Sequence, residues 1–419
     1  MSDMMKIFNI LDYPDIQTAI NACEKAGGGT VTVPPGMYQC GSIRLCSNLI
    51  FQLEPGAVLL APDSMEGYIR YPFAWELYSA TTPFIYAENA ENIRICGGGC
   101  IDFNGRAFAI KDKLCIGNDI PQEFFIDTHY DMPPRDMRPN RLVFFFACKD
   151  VEITGITLKD SPTWTLVFHD SQFINIHHIR VDNDLRIPNN DGIHCCGCRD
   201  VIISNSFFSC GDDCIAITSI SDGNLVSERF IISDCIFKSV SAAVRIGFQD
   251  SKVRDILLHN CIIHNSNRGI SIFAGENGFV ENIQMEHLSI DCRIYAGYWW
   301  GKGEPLVICS ADEKSRIRNI ILRDTQIRAE NSIIISGVNN SVSEVVLENL
   351  RVQLDYGSRR PWFGKEYDLS PHPRKIAPPA EKHIPWLWSE GNSDIHWKNI
   401  RHFRAENALY QFETAEVVK

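Results

Sequence analysis

Along most of the chain the apolar residues follow one rhythm: apolar, any, apolar, two residues, then apolar, any, apolar again. The rhythm appears as Val151/Ile153/Ile156/Leu158, Ile174/Ile176/Ile179/Val181, Val201/Ile203/Ser206/Phe208 and Phe230/Ile232/Cys235/Phe237. It continues as Ile256/Leu258/Cys261/Ile263, Ile283/Met285/Leu288/Ile290, Ile320/Leu322/Thr325/Ile327, Val345/Leu347/Leu350/Val352 and Ile395/Trp397/Ile400/His402. Alternation of period two predicts short strands with one buried face, and the two-residue interruption predicts a bend between them. The bend often carries Asn, Asp, Gly or His, as in Thr154-Gly155, Asn260 and Asn349. So small a unit cannot bury its own apolar face and must stack on its neighbours. Strand pairs recurring at about 23 to 29 residues with no helices between them predict an all-β parallel β-helix, a solenoid. The Leu/Asn consensus of leucine-rich repeats, which have a similar period, is absent.

Asp15 to Ala26 breaks the rhythm: Ile16, Ala19, Ile20 and Cys23 share one helical face, and Gly27-Gly28-Gly29 ends it. That short helix is placed to cap the open end of the solenoid, which would otherwise expose an unpaired edge. Three long interruptions, at about 105–141, 293–316 and 355–391, carry aromatic and basic residues within a single domain spanning 1–419. Long loops on a compact repeat protein usually serve function and gather into cleft walls. Linkers and homo-oligomer contacts are the other readings open to them.

Composition narrows the partners. The 419 residues carry a formal net charge of −12, which argues against nucleic acid or an anionic membrane surface. No stretch approaches the ~20 apolar residues of a membrane span. The start, Met1-Ser2-Asp3-Met4-Met5-Lys6, lacks a secretory pattern, and 16 cysteines are too few for a disulfide framework in a chain this long. Free thiols in the cytoplasm are therefore expected. Cys195-Cys196-x-Cys198 with Cys210 and Cys214 lacks the paired spacing of a zinc site. Those cysteines are expected to fill the interior rather than hold a metal.

The acids concentrate in Asn189-Asn190-Asp191-Gly192 and Gly211-Asp212-Asp213-Cys214, about 21 to 22 residues apart. That is roughly one period, so Asp191 and the Asp212/Asp213 pair are expected on neighbouring coils, about 4.8 Å apart along the stack. Crowded carboxylates cannot all ionise freely, which leaves one protonated to serve as an acid. Paired acids of that kind are what glycoside hydrolysis requires. An inverting enzyme holds them roughly 6.5–9.5 Å apart, leaving room for a water.

These motifs, with Ala26-Gly27-Gly28-Gly29-Thr30-Val31, Val33-Pro34-Pro35-Gly36 and Ser161-Pro162-Thr163-Trp164, resemble glycoside hydrolase family 28, the polygalacturonase-like group of right-handed parallel β-helices. The resemblance runs over roughly residues 10 to 350. It implies an inverting glycosidase that needs no metal or cofactor, with Asp212 as the general acid and Asp191 and Asp213 together positioning and deprotonating water. The implied substrate is an oligosaccharide, a pectin-type galacturonide or a related sugar. The large loops, closing one end of the cleft, together with the cytoplasmic expectation, point to exo action.

Two motifs depart from the family. Its Gly-His-Gly is matched by Ser241-Ala242-Ala243, and its Arg-Ile-Lys, which grips a galacturonate carboxylate, by Gly269-Ile270-Ser271. Arg245 and Arg268 are candidates to restore that grip, since a guanidinium fork suits a carboxylate; structural bonding to turn carbonyls is the alternative for each. His194 stands where polygalacturonases often have Asp. His194, His169 and Asn189 are candidate sugar contacts. Trp299 and Trp300, in Tyr298-Trp299-Trp300, are a candidate stacking platform, with Glu304 beside them. Two other functions stay open: a polysaccharide lyase or uronate epimerase on the same scaffold, and a non-catalytic glycan-binding β-helix.

Overall fold

The computed structural model describes residues 6–73, 79–110, 114–115, 129–220, 225–295, 300–354, 366–376, 384–392 and 394–404. Its strands join into two long parallel sheets, one of 23 strands and one of eleven, wound as a right-handed parallel β-helix. The predicted helix is present at Ile16–Lys25. Asp15 caps it, accepting the Thr18 N–H at 2.7 Å, and Ile16, Ala19, Ile20 and Cys23 are buried.

The nine copies of the sequence rhythm form the larger sheet. Val151, Ile174, Val201, Phe230, Ile256, Ile283, Ile320, Val345 and Ile395 lie in one continuous register along it. Their bends use left-handed backbone at His178, Asn205, Asp234, Asn260, His287, Asp324, Asn349 and Asn399. Asn, Asp and His tolerate that conformation better than most side chains, which explains the composition of the bends. Side-chain amides link neighbouring coils on the outside, as where Asn282 Nδ2 donates to Asp255 Oδ1 and Asn319 Nδ2 donates to Asn282 Oδ1, each at 2.9 Å.

Each coil also holds a third strand that the alternating pattern does not reveal. In the central coil these are Ile193–Cys196, Arg199–Ser204 and Phe207–Cys210, and the first belongs to the eleven-stranded sheet. Strands of this sheet are buried on both faces, so they read as short unbroken apolar runs such as Ile215–Thr218. Two such strands fall inside the expected loops: Leu306–Ser310 within 293–316, and Leu387–Glu390 within 355–391. Both interruptions are thus shorter than their sequence suggested.

The interior is a stack of like residues. Phe145 lies on Phe168 at 4.9 Å and 8°, and Cys195, Cys198, Cys210 and Cys214 join the same core. Cys196 faces outward instead, packing with Phe144, Trp164 and Val167.

Candidate active site

The outer face of the eleven-stranded sheet is covered at both ends. Toward the N-terminal coils, Tyr71 and Phe73 pack over Phe144, Trp164 and Val167. Toward the C-terminal coils, Tyr367 and Leu369 pack over Phe273, Val307 and Ile334. Between these apolar covers lies a polar stretch formed by the strands Ile193–Cys196, Ile215–Thr218 and Ala242–Ile246.

The three aspartates meet there. Ile193 pairs with Ile215 and Ile215 with Val244, so the column two residues earlier reads Asp191, Asp213, Ala242 on consecutive coils. The Gly192 N–H donates to the Asp213 carbonyl at 2.9 Å, which carries the register into the loops. Both motif glycines answer to close approach. A Cβ on Gly192 would come 2.5 Å from the Cys214 carbonyl oxygen, and one on Gly211 would come 2.4 Å from that of Ile187. Asp191 and Asp213 are each 1% exposed and Asp212 7%, so Asp212 is the most open of the three.

Donors converge on Asp213. Ser241 Oγ and the Ala242 N–H each donate to its Oδ1 at 3.1 Å, and Arg245 Nε makes a close charge-assisted contact with its Oδ2. Arg245 sits in register with Ala216, itself in register with His194. The small Ala216 side chain leaves room for the guanidinium to run back along the stack, where Nη2 lies 4.0 Å from Asp191 Oδ2. Burial first, then the Asp212 and Asp213 carboxylates, push the Asp191 carboxyl well above the ordinary range, against the lowering influence of Arg245.

His194 lies beside this cluster, its Nδ1 3.6 Å from Asp191 Oδ2 and its Nε2 3.1 Å from Thr218 Oγ1. Its ring is 4.2 Å from that of Trp164. Burial, with the charges of Arg245 and Arg141, holds His194 well below the usual histidine range, so its contact with Asp191 is that of a neutral ring. His169 lies on the preceding coil, packed against Phe73 at 5.0 Å and Phe146 at 5.4 Å. Burial and then Arg141 bring its pKa down to about 4.

Other sequence candidates fall elsewhere. Arg268 is 1% exposed and Glu304 0%, beneath the C-terminal cover rather than in the polar stretch. Arg268 donates to the carbonyls of Ser370 at 2.7 Å and Asp368 at 2.6 Å, and its Nε lies 3.5 Å from Glu304 Oε2. The structural reading therefore describes Arg268, and Glu304 is its buried counter-charge, accepting from the Lys302 N–H at 2.6 Å. Arg245 instead lies in the polar stretch, its guanidinium facing Asp213 and Asp191. Trp300 stacks on Phe248 at 5.9 Å, and Phe248 in turn lies 5.2 Å from the Arg245 guanidinium, so this tryptophan borders the cluster. Trp299 lies outside the described residues.

Asn189 adopts left-handed backbone and spends its side-chain oxygen on Arg138 Nη2 at 3.0 Å. Its neighbour Asn190 is the residue that joins the two acidic loops: Oδ1 accepts from the Gly211 N–H at 2.6 Å, and Nδ2 donates to the Asp184 carbonyl at 2.8 Å. Asn183 supports it, donating to the Asn190 carbonyl at 2.9 Å. Arg138, from the first interruption, ties the Pro162 carbonyl at 2.8 Å to this same loop. Sequence reasoning missed the roles of Asn183, Asn190, Arg138 and Phe248. Only Asn190 carried a signal, its place beside Asp191.

A parallel β-helix that stacks aspartates on consecutive coils presents a buried carboxylate cluster, an arrangement suited to acid–base chemistry. The chain belongs to glycoside hydrolase family 28: it matches the profile "Glycosyl hydrolases family 28" over residues 65–358. It is 25% identical over 311 residues to a probable polygalacturonase of Vitis vinifera, covering 70% of this chain and 59% of that protein. It is likewise 25% identical over 329 residues to an exo-poly-alpha-D-galacturonosidase of Dickeya chrysanthemi, covering 67% of this chain and 53% of the relative. The chain thus spans little more than half the length of these relatives. Among solved structures, the exopolygalacturonase of Thermotoga maritima superimposes with a TM-score of 0.68 at 20% identity, covering 84% of this chain and 88% of that one. The family 28 exopolygalacturonase of Yersinia enterocolitica gives 0.69 at 18% identity, covering 100% and 78%. At such identities these two structures speak for the fold.

Proposed function

We propose that this chain is an inverting glycosidase that cleaves galacturonide-type oligosaccharides from one end. The observation that carries the reading is the stacking of Asp191 on Asp213 across consecutive coils, with the more open Asp212 beside them. Asp212 gives its proton to the leaving glycosidic oxygen as the bond to the anomeric carbon breaks. A water attacks that carbon from the opposite face, and its proton passes to Asp191, with Asp213 holding the water in place. Family membership supports the reaction class, and the names of the relatives support a galacturonide substrate. Exo action is supported by the apolar covers at both ends of the sheet, which flank the polar stretch that holds the acids.

The test is incubation with saturated oligogalacturonides, following new reducing ends and the anomeric configuration of the first product by proton NMR. Expected are single-residue release, inversion, and a loss of at least about 10²-fold in kcat for Asp212→Asn. Retained configuration, or unchanged turnover by that variant, would remove the assignment.

A further inference from the structure

We infer that Arg245 is a positioning residue for the aspartate cluster, fixing Asp213 and setting the charge that Asp191 meets. The proposal deepens the glycosidase reading by giving Arg245 a task other than gripping substrate. Its geometry is that of a built contact. Nε engages Asp213 Oδ2, and Nη2 lies 4.0 Å from Asp191 Oδ2. Phe248 sits 5.2 Å from the guanidinium carbon, with Trp300 stacked on Phe248 at 5.9 Å, so aromatic faces bound the cation where water would otherwise let it swing. Ala216, in register between Arg245 and His194, leaves the path open.

The departure from the family's motif fits this task. Ala242 occupies the coil above Asp213 and brings only its backbone N–H to that carboxylate, at 3.1 Å. A methyl side chain cannot compensate three buried acids, and among the described residues Arg245 is the arginine paired with two of them. The charged and titratable groups around Arg245 are Asp191, Asp212, Asp213 and His194, with Arg141 and His169 beyond. Both histidines are kept neutral by burial and neighbouring arginines. The cation nearest the acids is therefore one that stays charged at every working pH.

Two arms test this. In the first, the protein is labelled with carboxyl-13C aspartate and titrated by NMR, with Asp191→Asn used to assign the Asp191 signal. Arg245→Gln is expected to raise the Asp191 midpoint, because it removes a neighbouring cation that lowers it; Arg245→Lys, which keeps the charge, is expected to stay near wild type. Superimposable Asp191 titrations of Arg245→Gln and wild type would overturn the inference. This arm needs no turnover, so it stands even if the glycosidase reading fails.

The second arm is kinetic, on galacturonide and neutral glycosides. Arg245→Gln is expected to lower kcat about 10²-fold with little change in KM, and to move the acid limb of kcat/KM to higher pH. Arg245→Lys is expected to keep the limb in place while losing part of kcat, since an ammonium cannot reproduce the fork. A loss confined to KM, and only for uronide substrates, would make Arg245 a substrate clamp and overturn the proposal. If Arg245→Gln does not fold, Arg245→Lys decides: an Asp191 midpoint or acid limb displaced from wild type despite the retained charge would count against the inference.

Discussion

Asn190→Ala should damage stability and activity together. The Asn190 amide is buried and makes two hydrogen bonds across the loops that carry the acids: one accepted from the Gly211 N–H at 2.6 Å, one donated to the Asp184 carbonyl at 2.8 Å. Alanine leaves the Gly211 N–H buried with its acceptor gone. A buried group stripped of its partner costs about 1–3 kcal/mol, and the second lost bond adds about 1 kcal/mol, so about 2–4 kcal/mol is expected in total. In a thermal melt that is a fall of at least about 4 °C, taking about 2–4 °C per kcal/mol for a large domain. Gly211 precedes Asp212 directly, so loosening it shifts the proposed acid relative to Asp191, and a misplacement near 1 Å costs about 10²-fold in kcat. Asn190→Asp separates the two bonds, because a carboxylate keeps the acceptor and loses the donor. It should recover part of the melting temperature while kcat stays low, since a fourth carboxylate joins the cluster. If Asn190→Ala melts within about 1 °C of wild type and keeps kcat within about twofold, the amide does not set the geometry of the acids.

Asp191→Asn should abolish turnover yet raise the melting temperature, more at pH 8 than at pH 5. The folded carboxyl is raised above its ordinary value of 3.8, so its contribution to stability is present at low pH and lost as pH rises through the folded value; an equal gain at both pH values contradicts this. His169 has the opposite sense: its folded pKa of about 4 lies below the ordinary 6.5, so stability present above 6.5 is lost as pH falls toward 4, by up to ~3 kcal/mol. His169→Phe, beside Phe73 and Phe146, should flatten that loss in urea melts between pH 7 and 4, and parallel curves for the two proteins would refute it. Asn282→Ala breaks two links of the amide ladder at a backbone φ of 60° and should cost about 1–2 kcal/mol in a urea melt, whereas Asn282→Gly should recover the strain portion. Equal losses for the two Asn282 variants would show that backbone strain contributes nothing there.

Much of the scaffold is legible in the chain because period-two alternation leaves few choices. Val151, Ile174, Val201 and Phe230 announce a half-buried strand each, and their spacing announces the stack. The capping helix is legible for the same reason, its apolar residues recurring at helical spacing before a glycine run. The third strand of each coil is not, because Ile193–Cys196 or Ile215–Thr218 is buried on both faces and too short to show a period. Leu306–Ser310 and Leu387–Glu390 were hidden in supposed loops for that reason.

At the site, the order of residues already settles which acids exist and that about one period separates them. A repeat converts spacing into stacking, so Asp191 and Asp213 had to fall on consecutive coils once the period was known. Which basic groups face those acids was decided by the tertiary structure alone. Arg245 and Arg268 look equivalent as letters, each within a buried strand. Folding sends Arg245 over the small Ala216 into the carboxylates, and Arg268 under the segment holding Tyr367 and Leu369 to meet Glu304 and two carbonyls. A long side chain goes where its neighbours leave space and unmatched charge, and those neighbours lie from 29 residues away (Ala216 from Arg245) to 102 (Ser370 from Arg268) in the chain. Local pattern carries the coil; the partners of a charge are set only when the coils are stacked.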